Sequence, residues 1–186
     1  MEPQPYNFHT LPAVFLMETQ LPENIIGQLN DYLDKLMVDE NRLDHSGTLV
    51  GQIGHGQQLT MDHLSEEMRV FNAFMQGMGQ EYLKKYMEAT GNRLSGNRLI
   101  ETDELWSVHS YEKDYNPIHD HGTKTITGIS CTCWTKVPQQ ILDLPTAGSP
   151  EYSLYNASGH PDGCLAFNYG RNSLIDVDRL TPPQSF

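Results

Sequence analysis

The chain has 186 residues, 38% apolar and 19% charged, with 15 glycines and 11 prolines. That suits one domain, being too apolar for a wholly disordered chain and too interrupted for a membrane protein. Twelve basic residues against 24 acidic ones leave a net charge of −12 with histidine neutral, so the chain has no electrostatic footing on phosphate backbones and nucleic acid is set aside as a partner. Apolar runs such as Pro12 to Met17 fall far short of the roughly 20 residues a membrane helix needs. Met1 to Asn7 carries neither the basic region nor the apolar core of a secretory signal, and a cytoplasmic location without membrane contact is expected.

The first twenty residues are expected to be extended, with Val14, Leu16 and Met17 anchoring a leading strand. Between Pro22 and Met37, Ile25, Ile26, Leu29, Leu33, Leu36 and Met37 recur at three- and four-residue steps, which predicts an amphipathic helix. Asp39 to Gly47 is turn-rich, and Leu49 to Leu59 reads as a weak strand or hairpin punctuated by glycine. A second helix is predicted from about Met61 to Thr90. Its stripe is Leu64, Met68, Phe71, Met75, Met78, Tyr82 and Tyr86, its stop is Gly91-Asn92, and its methionines read as core gap-fillers.

From Ile100 the period changes to two. Leu105 to Tyr111, Thr125 to Val137 and Gly163 to Tyr169 read as strands, with Tyr152 to Tyr155 a shorter candidate and turn formers between them. The fold class expected is α+β in a single domain over 1–186. A helical part covers about 1–95, and a sandwich or barrel of strands about 100–186. Cys131, Cys133 and Cys164 are odd in number, which argues against a disulfide framework, and they read as reduced thiols filling core space.

The chemistry-bearing segment is Asp114-Tyr-Asn-Pro-Ile-His-Asp-His-Gly122. Pro117 keeps the residue before it out of the helical region, so an extended course is favoured. In an extended chain His119 and His121 share a face while Asp120 points away, and two imidazoles so placed can grip one transition metal. A kink near Gly122 would bring Asp120 in as a carboxylate donor instead. A solvated polar loop explains the same residues without a metal. His109, on the parity of Leu105 and Tyr111, reads as a histidine with a satisfied hydrogen bond, and His160 as a turn residue.

Trp106 to Gly122, followed by Ile129-Ser130 and Trp134 to Pro138, resembles the 2-oxoglutarate- and Fe(II)-dependent oxygenases of bacteria and marine phages. The resemblance implies a double-stranded β-helix, or jelly roll, buttressed by N-terminal helices. It also implies Fe(II) and 2-oxoglutarate as cofactors and hydroxylation of a C–H bond on a substrate it does not name. Carried over residue by residue, His119 is the first iron ligand, His121 the second and Asp120 its alternative. Tyr111 and Asn116 are candidates to hydrogen-bond the oxo acid.

The family also has a late strand histidine followed by an arginine for the far carboxylate of the oxo acid. His160, Arg171 and Arg179 do not match that context. The expectation is therefore a copy lacking its last strands, whose open edge would favour association into an oligomer. Two further readings stand beside the oxygenase: a non-catalytic jelly-roll binding or virion-associated protein, and a cupin-like metal enzyme independent of 2-oxoglutarate.

Overall fold

The computed structural model describes residues 6–11, 14–48, 54–92, 99–116, 128–143, 165–168 and 177–180. Two compact units divide the chain: Met1–Phe8 with Met17–Cys131, and His9–Leu16 with Thr132–Phe186. Strands β1 (Tyr6–Leu11) and β2 (Val14–Thr19) form a two-stranded sheet, so the leading segment is extended as its composition predicts.

In the first unit, helix α1 (Glu23–Val38) starts where proline permits it. Pro22 sits at φ −58°, and its carbonyl accepts the amides of Ile25 at 2.9 Å and Ile26 at 3.0 Å. Ile25, Leu29 and Leu33, four residues apart, are its buried stripe. The polar segment after α1 does more than turn. The Thr60 amide donates to the Leu43 carbonyl and the His45 amide to the Gln58 carbonyl, so residues 43–45 run antiparallel beside strand β3 (Gln57–Thr60). On its other edge β3 pairs antiparallel with β4 (Trp106–His109), Leu59 opposite Ser107.

The predicted helix start at Met61 is a point of difference. The Met61 amide still donates to the Leu105 carbonyl at 2.9 Å, one step past the β3–β4 ladder. The next amide, of Asp62, donates to the Tyr32 hydroxyl at 3.0 Å. The Asp62 carboxylate then accepts the Leu64 amide at 3.0 Å, folding 62–65 into a turn that leaves Leu64 83% exposed and off the helical stripe. A 3-10 turn, Glu66–Met68, leads into helix α2 (Arg69–Thr90). Met68 is sealed, and Phe71 and Phe74 are buried. Gly91 ends the helix at φ 69°, its amide donating to the Met87 carbonyl at 3.0 Å.

Helix α1 packs on this 3-10 turn and on α2. An exposed Lys35–Glu67 pair at 2.6 Å spans the contact and raises the Lys35 pKa. The buried apolar residues are Ile25, Leu29, Leu33, Leu59, Met61, Met68, Phe71 and Phe74, all within the first unit. The methionine gap-filler reading holds for Met61 and Met68.

In the second unit, Pro138 opens a single helical turn, α3 (Gln139–Leu142). Strands β5 (Leu165–Asn168) and β6 (Val177–Leu180) pair antiparallel with Leu165 opposite Leu180. The alternation at 163–169 anticipates β5, whereas β6 has no counterpart in the sequence reading. Residues 128–138 carry no regular secondary structure, unlike the strand expected from Thr125 to Val137. Cys131 there is exposed and Cys133 half-buried, so Cys131 does not fill core space. The short strand expected at 152–155 lies outside the described residues, as does Cys164. Among the described residues the strands form three two-stranded sheets.

Two helical glycines two residues apart give a paired test. A Cβ at Gly77 would meet nothing within 4 Å, while one at Gly79 would lie 2.8 Å from Ile100 Cγ2. Gly77→Ala is expected to raise stability by about 1 kcal/mol through helix propensity. Gly79→Ala is expected to fall at least about 1 kcal/mol below it, because overpacking offsets the same gain. Urea unfolding midpoints of the two variants check this.

Candidate functional site

The site is approached along β4. Its inward parity carries Ser107, 9% exposed and opposite the fully sealed Leu59, so a small polar residue faces a large apolar one. The Ser107 hydroxyl lies 3.0 Å from His109 Nε2, which bears out the reading of His109 as a hydrogen-bonded strand histidine. Trp106 and Val108 take the outward parity, 36% and 45% exposed. The aromatic of this strand therefore faces out, where burial is the default expectation for tryptophan.

After β4 the chain reverses in a turn, Tyr111-Glu-Lys-Asp114, closed by the Asp114 amide donating to the Tyr111 carbonyl at 3.0 Å. Lys113, at its third position, stands at φ 72°, a left-handed conformation that suits glycine or asparagine. The Asp114 carboxylate reinforces the turn. Oδ2 accepts the Tyr111 amide at 2.8 Å, and Oδ1 reaches back across the chain to the amides of Gly54 at 2.8 Å and His55 at 3.3 Å. These donors favour the ionised form, so the Asp114 carboxyl is held below the usual aspartate value, chiefly by the Tyr111 amide and then by those of Gly54, His55 and Gly56. A second carboxylate of this kind, Asp44, accepts the hydroxyl and amide of Ser46 and is lowered chiefly by that hydroxyl.

Of the residues singled out from the sequence, Tyr111 opens this turn with its side chain 56% exposed, and Asn116 follows it, exposed. The structure brings these two to the same short segment, on either side of Asp114. His119, Asp120, His121 and His160 lie outside the described residues, as does Arg171. Arg179 is on β6, in register with Ala166 of β5. Among the described residues no group of three His, Cys, Asp or Glu side chains is placed to hold a metal ion, and no helix is long and apolar enough to cross a membrane.

The residue that sequence reasoning passed over is Asp114. The signal for it was a Tyr-x-x-Asp reversal directly after an alternating strand, together with the glycine-flanked His55 that supplies its distant partners. No family model, no curated protein and no solved structure matches this chain.

Two outcomes follow. Lys113→Gly removes the steric cost of the left-handed residue and is expected to stabilise the protein by about 0.5–1 kcal/mol, net of glycine's greater unfolded-state entropy. Thermal unfolding with a Lys113→Ala control measures it. The sign of the acid response is equally determined. Asp114 and Asp44 both have folded values below the ordinary 3.8, so their stabilisation is fully present above that value and is lost as pH falls below it. The double variant Asp44→Asn with Asp114→Asn should lose less stability than the parent between pH 5 and pH 2, roughly the range in which aspartates protonate. Urea titrations across that range check it.

Proposed function

We propose that this chain is a 2-oxoglutarate- and Fe(II)-dependent dioxygenase that hydroxylates a C–H bond, working in the cytoplasm on a jelly-roll scaffold. The observation that carries the reading is the donor set His119-Asp120-His121, set directly after Asn116-Pro117 at the end of a β-strand and a locked turn. Two imidazoles flanking a carboxylate are a donor chemistry that suits ferrous iron and leaves room for further ligands. His119 and His121 would hold the metal, with Asp120 the alternative to His121. Bound there, iron supplies oxidation of the substrate C–H bond at the expense of oxygen and the oxo acid.

The remaining roles fall to the chain's own groups. The Tyr111 hydroxyl and the Asn116 amide are exposed at either end of the segment before the donors, and both can donate hydrogen bonds to a carboxylate of 2-oxoglutarate. Asp114 cannot share that task. Both its oxygens are engaged by backbone amides, and its negative charge would repel the oxo acid.

Anaerobic titration of Fe(II) with 2-oxoglutarate present is expected to give the weak visible charge-transfer band of a bidentate complex, and His119→Ala to abolish it. No band at saturating metal would replace this reading with a non-catalytic binding module. Metal binding indifferent to the oxo acid would replace it with a cupin-like enzyme.

A further inference from the structure

We propose that Asp114 is a positioning residue for the metal-binding segment: it clasps the turn after β4 to the strand-entry loop at 54–55 and so sets how the chain presents His119 and His121. The inference rests on the iron reading given above.

The geometry singles out this carboxylate. It sits on an exposed turn, yet its two oxygens order three backbone amides, and two of those belong to residues about sixty positions earlier in the chain. An exposed group with that many long-range main-chain bonds does not stabilise an apolar core. It fixes where one stretch of backbone lies against another. The turn it closes holds Lys113 in a left-handed conformation that a side chain disfavours, and such strain persists only where surrounding bonds enforce it.

Beyond the clasp little freedom is left before the donors. Only Tyr115 and Asn116 separate Asp114 from Pro117, Pro117 fixes its own φ, and it restricts Asn116 as well. His119 follows two residues later. A group that fixes the start of so short and stiff a lead-in acts on the ligands through the backbone, as outer partners of metal ligands commonly do through hydrogen bonds.

Cobalt(II), whose visible d–d absorption reports ligand number and geometry, is the probe, titrated into the full chain. Asp114→Ala is expected to weaken Co(II) binding about tenfold or more and to change the d–d band, with far-UV circular dichroism unchanged. Asp114→Asn, which keeps one carbonyl acceptor for the Gly54 amide, should fall between it and the parent. Asp44→Ala removes the comparable turn carboxylate elsewhere in the sheet and should stay within twofold of the parent. Affinity and band unchanged in Asp114→Ala, with faster amide exchange at Gly54 and Tyr111 showing the clasp open, would overturn the inference. So would equal weakening by Asp44→Ala, which would mark the effect as general loss of stability. Should Asp114→Ala fail to fold, Asp114→Asn decides by the same criteria. A parent that binds no Co(II) would remove the iron reading itself, a distinct result from a parent that binds and a variant that binds equally.

Discussion

Leu59 is the residue on which the first unit converges. Its side chain is wholly withdrawn from solvent, and its backbone lies between two others: Ser107 of β4 on one edge and Asp44 on the other. Three stretches distant in sequence are thereby held in register by one short strand. Because side chains alternate along a strand, a slip of one residue would turn Leu59 outward and expose Gln58 and Thr60 to the interior instead. The parity that buries Leu59 also makes Ser107 and His109 face inward and leaves Trp106 and Val108 outside. The exit of β4, and with it the Asp114 turn, inherits its position from that choice.

The helices were the most legible part of the sequence, for a physical reason. Ile25, Leu29 and Leu33 repeat at a spacing only a helix can bring to one face, and Gly91 supplies the left-handed residue that ends α2. What was misread lies where backbone partners outweigh periodicity. Met61 fits the helical stripe, but its amide is taken by Leu105, so the ladder runs on and the helix begins only at Arg69. Trp106 is read as a core aromatic by size, yet the strand presents its smaller neighbour inward. The alternation at residues 128–137 resembles that of β4, but there the backbone forms no ladder.

The candidate site divides in the same way. The residue types at His119, Asp120 and His121 announce metal chemistry from the sequence alone, because few other combinations of side chains suit it. Asp114 announces nothing by type, being one acid among 24 acidic residues. Its role comes from partners about sixty positions away, and no local pattern encodes a long-range hydrogen bond to a backbone amide. Tyr111 and Asn116 stand between these cases. Their types are suggestive, and the turn between them is what makes them neighbours.

The β3–β4 pairing has a consequence for the order in which the molecule acquires its shape. The two strands are antiparallel neighbours, yet α2 is threaded between them, so zipping requires ends to meet across a long stretch of chain. A 22-residue helix spans about 33 Å and forms from local contacts within microseconds, far sooner than distant strands find each other. Once formed, it replaces most of a floppy tether with a rod, and the search by β4 for β3 narrows to the few residues on either side of it. The chain's passage to the native state is thus paced by a helix that contributes no residue to the chemistry, and the segment after β4 is among the last to be set in place.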